Sequence, residues 1–397
     1  MKTVSIIFFL LCASMSCSKK GGSQNSVTPK MTFSDLTVTE GTGGSKNAEL
    51  ILTLDQATSK QVTVTYSTVD GIAKAGTDFT GATDQLVTFQ PNETQKTILI
   101  SIVTDDLKEG DETFQVRVKN PANVILLKET VTITLQNDDT RVGFNNTGYD
   151  APTSYPGYTL AWSDEFNGAS LDMTAWSAET GDGCPALCGW GNNEQQYYTN
   201  PPNNLFFQDG KMIIEAKAES FGGKNYTSAR IKTQNKKSFK YGRIDIRAIL
   251  PKGSGIWPAF WLLPQTSTFG NWPTSGEIDM MELKGGQPSN VLGTLHYGPG
   301  PGSTYISRNF TLPAGNFNDQ FHVFSLEWKQ DQIKWLVDDN VFSTINKVDI
   351  GSNTWPFNEL FYLLINFAVG GNFPGPVDAN TVFPSWLIVD YLRVYQN

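Results

Sequence analysis

Gly276-Glu277-Ile278-Asp279-Met280-Met281-Glu282-Leu283 sets three carboxylates among apolar residues. The β-branched Ile278 and the two methionines predict an extended strand. Residues two apart on a strand share a face, so Glu277 and Asp279 point one way while Ile278 and Met280 point into the layer behind. Simple alternation would send Glu282 to the wrong side. One extra residue at Met280-Met281, a β-bulge, returns it to the others, and bulges are frequent beside active sites. Like charges held close raise one pKa, so one acid stays protonated while another stays ionised. A retaining glycosidase needs that division of labour, with its two carboxyl groups about 5–5.5 Å apart. Taken alone, the same stretch also reads as a solvated strand edge or a calcium site.

The surroundings favour chemistry. Upstream lies Gly255-Ile256-Trp257-Pro258-Ala259-Phe260-Trp261-Leu262-Leu263-Pro264, and downstream Gly293-Thr294-Leu295-His296-Tyr297-Gly298. With these flanks the chain resembles the family 16 glycoside hydrolases, and within them the laminarinase-like β-1,3-glucanases, from about Tyr158 to Asn397. The resemblance implies that Glu277 is the nucleophile, that Asp279 tunes it and that Glu282 is the acid/base. It implies no cofactor for catalysis. The segments Lys211 to Ala216, Gly242 to Ile249, Phe324 to Trp328 and Ile333 to Val337 read as strands, the faces separating cleanly in Arg243 to Arg247, and no segment has a sustained helical period. The fold class is therefore all-β, a concanavalin-like two-sheet jelly roll.

Sugar rings stack on aromatic faces while their hydroxyls bond to polar groups. Trp257 and Trp261, four apart on one strand face, are the expected stacking platforms, with core packing as the alternative. Trp272, in a loop beside the acids, is a weaker candidate. The resemblance adds Asn193, Glu194, Arg230 and Asn366 as substrate contacts; each could equally be a structural hydrogen bond. His296 either holds the acids, touches sugar or is a satisfied core histidine. The resemblance also implies a structural Ca²⁺ held by Glu165, Asp390 and a backbone carbonyl near Gly210.

Residues 31–139 read as short strands separated by turns at Asp70-Gly71, Pro91-Asn92 and Glu109-Gly110, an antiparallel sandwich. The pieces Val38-Thr39-Glu40-Gly41, Ala75-Gly76-Thr77-Asp78-Phe79 and Glu109-Gly110-Asp111-Glu112-Thr113-Phe114 resemble a Calx-beta domain, which implies an immunoglobulin-like fold. Some of its members bind Ca²⁺ through acids at one end. Nothing in this stretch suggests catalysis, and a spacer or adhesion role is expected.

Met1 to Cys17 reads as a secretory leader, and Cys17 after Ser16 resembles a bacterial lipoprotein cleavage site. Residues 18–30 would be a flexible tether, 140–157 a linker and 158–397 the catalytic domain. The expected location is a bacterial cell envelope, lipid-anchored, or outside the cell after ordinary secretion. Cys184 and Cys188 are suited to a local disulfide in an oxidising compartment. With 2 histidines in the chain, a zinc site is disfavoured. A net charge of −9 with no basic cluster beyond the leader argues against nucleic acid as a partner. The expected partner is a β-glucan polysaccharide, bound by a monomer. A mixed-linkage glucanase or a red-algal galactanase would share the acid motif. A non-catalytic glucan-binding lipoprotein would be marked by loss of an acid, and none is lost.

Overall fold

The computed structural model describes residues 27–44, 46–299 and 304–397. The leader, Cys17 and most of the tether lie outside the described residues. The chain forms two compact units, one built chiefly from Gly44–Thr104 and Glu112–Gln136, the other chiefly from Asn137–Asn397. Among the described residues the regular structure is strand, with two short 3₁₀ turns and no α-helix.

The first unit packs a four-stranded sheet on a five-stranded one. Strand Val62–Val69 shows the cause: Val62 and Val64 are buried while Thr63 and Thr65 are half-exposed, a period of two with one wet face. The stacked rings of Phe79 and Phe114, 3.9 Å apart, sit in its core.

The second unit is a jelly roll of an eight-stranded and a seven-stranded sheet. Strands Lys211–Ala216 and Gly242–Ile249 fall where the sequence reading placed them. The seven-stranded sheet carries the site. Its order is Ser177–Glu179, Arg230–Lys232, Phe361–Val369, Ile256–Pro264, Glu277–Leu283, Asn290–Tyr297, Thr304–Thr311, antiparallel throughout. Phe260, Phe324, Trp328 and Trp335 are fully buried between the sheets.

Residues 140–157, expected as a linker, are seated on the eight-stranded sheet. Val142 is buried with Ile213, Phe321 and Ile388, and its backbone exchanges two 2.8 Å hydrogen bonds with the Gln208 amide. The Tyr149 hydroxyl donates to Asp339, its carbonyl accepts from Arg247, and the Tyr155 hydroxyl donates to Asp245. Single side chains reaching one by one onto a sheet leave no periodic trace in sequence.

Candidate active site

The acid strand bulges where its pattern broke. Asp279 pairs with Thr294 and Glu282 with Leu292, so Met280 and Met281 together face the single residue Gly293. The extra residue turns all three acids to one face, while Ile278, Met280, Met281 and Leu283 are buried behind. Gly293 is required there: a Cβ would lie 2.4 Å from Cδ1 of Trp335, whose indole N–H donates to the Asp279 carbonyl at 2.8 Å.

All three carboxylates line one open groove of about 980 Å³. Burial is the main cause that raises the pKa of Glu277 to about 8, with the Asp279 charge adding to it and His296 and the Trp272 hydrogen bond opposing. Burial likewise raises Asp279 and Glu282, and the Asp279 charge pushes Glu282 further up. Near neutrality the cluster therefore holds fewer than three charges, as a nucleophile paired with a proton donor requires.

Indoles hold the acids in place. The Trp272 N–H donates to Oε2 of Glu277 at 3.0 Å, and the Trp257 N–H donates to Oε1 of Glu282 at 3.1 Å. Nε2 of His296 lies 3.2 Å from Oδ2 of Asp279 and 3.8 Å from Oε1 of Glu277. Strand pairing opposite Glu277 puts it there. His296 is thus a holder of the acids at the rim of the groove.

The other expected contacts divide. Trp261 is half-buried and donates to Oδ1 of Asn366 at 2.7 Å; Asn366 donates in turn to the Tyr198 hydroxyl. Arg230 lies between the rings of Trp190 and Trp261, at 4.4 and 4.9 Å, and is ion-paired to Glu179. Glu194 is buried, accepts from Gln196 and Tyr198, and has its pKa raised by that burial. All five of Trp257, Trp261, Glu194, Arg230 and Asn366 line the groove. Trp257 is only 8% exposed and serves the acid more than it offers a free face. Asn193 departs from expectation: it is exposed, has a left-handed φ of 55° and donates to Asn372, while its neighbour Asn192 lines the groove.

The expected calcium set does not fit a cation. Glu165 accepts two hydrogen bonds from Arg393, at 2.9 and 2.7 Å, and Asp390 is paired with Arg247 and Lys211. Both acids are already neutralised by basic side chains, whereas Ca²⁺ requires several converging oxygens. Gly210 stands beside the Asn167 side chain in a left-handed turn.

Cys184 and Cys188 form the expected disulfide. Leu187 in the loop they close, and Trp190 and Asn192 just after it, line the groove. Trp190, Lys284, Thr294, Tyr305, Tyr362 and Phe373 also line it and were not singled out from the sequence. For Thr294 a signal existed, since it stands two residues from His296 on the same strand.

Residues 192–377 match the family model of glycosyl hydrolases family 16, and residues 24–140 that of the Calx-beta domain. The chain is 43% identical over 259 residues to glucan endo-1,3-beta-glucosidase A1 of Niallia circulans, covering 60% of this chain and 38% of that protein. It is 38% identical over 265 residues to the beta-glucanase of Rhodothermus marinus, covering 64% of this chain and 91% of that protein. The laminarinase catalytic domain of Thermotoga maritima superposes with a TM-score of 0.57 at 41% identity, over 60% of this chain and 98% of that one. Similarity of this extent, over a bulged acid strand with every carboxylate present, makes the chain a member of glycosyl hydrolase family 16.

Proposed function

We propose that the second unit cuts internal β-1,3 bonds of laminarin-like glucan with retention of configuration. The bulge that places Glu277, Asp279 and Glu282 on one face of the groove carries this reading. Glu277 attacks the anomeric carbon as the glycosidic bond breaks. Glu282 gives its proton to the leaving oxygen. Glu282, now ionised, takes a proton from water as that water displaces Glu277 from the glycosyl-enzyme, which restores both groups. Trp272 and His296 steady the nucleophile, and Asp279 limits the charge that Glu277 shares with Glu282.

An open groove crossing the sheet, not a closed pocket, suits attack within a chain. The leader and Cys17 support a lipid-anchored or secreted enzyme of a bacterial envelope, with the first unit as a spacer. We expect it to work as a monomer.

Reducing-sugar release from laminarin, mixed-linkage glucan, agarose and carrageenan tests this reading, with Glu277→Gln alongside. Release from laminarin that vanishes in the variant supports it. Release from agarose or carrageenan alone keeps the chemistry and overturns the substrate. Binding of laminarin with no cleavage overturns catalysis.

A further inference from the structure

The groove does not stop at the catalytic sheet. A second cavity of about 580 Å³ lies between the edge strand of that sheet, Thr304–Thr311, and the edge strand Asn340–Asn346 of the other. The two cavities share Tyr305 and Ser307. From Trp272 on the nucleophile, an aromatic series runs outward: the His296 ring is 6.0 Å from Trp272, and the Tyr305 ring is 5.7 Å from His296. Tyr305 is 60% exposed, a large ring left in water on an edge strand. Beyond it the second cavity offers the exposed polar groups of Arg308, Thr344 and Asp349.

An exposed aromatic face followed by hydroxyl, guanidinium and carboxylate groups has the composition that binds a pyranose: apolar C–H faces stack on the ring while hydroxyls meet polar side chains. We propose that a polymeric β-glucan leaves the catalytic groove over Tyr305 and places further glucose units in this side cavity. It forms a distal binding site that short oligosaccharides do not reach. The inference rests on the glucanase reading above. Continuity of the two cavities through Tyr305 and Ser307 makes the occupant the same chain that the acids cut, with no second ligand required.

Kinetics of wild type, Tyr305→Ala, Tyr305→Phe and Thr344→Trp on laminarin and on a β-1,3-linked trisaccharide test it. Thr344 is exposed on its edge strand, so the bulky residue fills the cavity without entering the core. Loss of one stacked ring should raise KM for laminarin about three- to tenfold in Tyr305→Ala. Thr344→Trp, which touches only the second cavity, should do the same while its trisaccharide kcat/KM stays unchanged, and Tyr305→Phe should stay at wild-type level on laminarin. An unchanged laminarin KM in both Tyr305→Ala and Thr344→Trp overturns the site. So does a parallel fall on both substrates in Thr344→Trp, which would mean that the effect comes from the catalytic groove and not from the side cavity. A wild type that cuts neither substrate removes the glucanase reading itself, an outcome distinct from both.

Discussion

The acid cluster should cost the fold stability in a pH window that one substitution can expose. Glu277 has its pKa raised from 4.5 to about 8, chiefly by burial. Between those values the folded state keeps a proton that the unfolded chain has released. The folded state then binds more protons, so stability falls as pH rises through the window. Below pH 4.5 both states are protonated and the effect vanishes. The shift is 8 − 4.5 = 3.5, and at about 1.36 kcal/mol per pKa unit it amounts to roughly 5 kcal/mol if Glu277 bore it alone. Asp279 and Glu282 share the repulsion, so relieving one site should return about 2 kcal/mol at pH 8. Glutamine is neutral at every pH and its oxygen can still accept from Trp272. Scanning calorimetry of wild type and Glu277→Gln at pH 4, 6 and 8 should therefore show no gain at pH 4. The catalytic unit's transition should rise by about 4–8 °C at pH 8. An equal shift at all three pH values, or a less stable variant at pH 8, would refute the argument that burial strains this carboxylate.

Other perturbations reach different parts of the same construction. Deleting Met280 removes the bulge yet leaves Glu277, Asp279 and Glu282 at alternate positions of a regular strand, so all three still share one face and activity on laminarin should survive in part. Glu282→Gln, by contrast, should lower that activity at least about 1000-fold, and the loss should shrink on an aryl glycoside whose leaving group needs no proton. Gly293→Ala pushes a methyl into Trp335, whose N–H holds the Asp279 carbonyl; about 1–3 kcal/mol of stability should be lost in urea unfolding, with kcat reduced more than KM is raised. A chain beginning at Tyr158 leaves Arg243, Asp245 and Arg247 without Tyr149 and Tyr155. Its calorimetric midpoint should fall several degrees below that of a chain beginning at Asn137, while kcat on laminarin is retained.

Much of the site was legible because chemistry and periodicity conflicted at one point. Three acids could share a face only if the strand bulged at Met280-Met281, and the register shift is there. What stayed hidden depended on register between distant strands, which a one-residue slip would reverse and which a single strand's pattern does not encode. Trp257 and Trp261 read as equivalent because they are four apart. Their partners separate them: Ala259 sits opposite Glu282, which brings the Trp257 N–H to that acid, while Trp261 is turned to Asn366. Asn193 and Asn192 are indistinguishable as letters, and a left-handed backbone at Asn193 decides which one faces the groove. Glu165 and Asp390 looked like free oxygen donors because Arg393 and Arg247 are brought to them by sheet pairing.

The partners around the acids set how many protons the cluster keeps near neutrality. All three are desolvated, and desolvation alone would protonate them alike. Glu277 has the indole N–H of Trp272 and the imidazole of His296 within reach, and both favour its ionised form. Glu282 likewise accepts from the indole of the 8%-exposed Trp257, and the charges of His296 and Lys284 favour its ionised form. The two glutamates are thus raised by the same burial and the same Asp279 charge, and the cluster titrates as a unit. Retention demands an anion at the attacking position and a proton at the leaving oxygen at the same pH, which a partly protonated cluster supplies. Replacing His296 with Gln removes a charge that lowers both glutamates, so both limbs of the kcat/KM profile should move to higher pH.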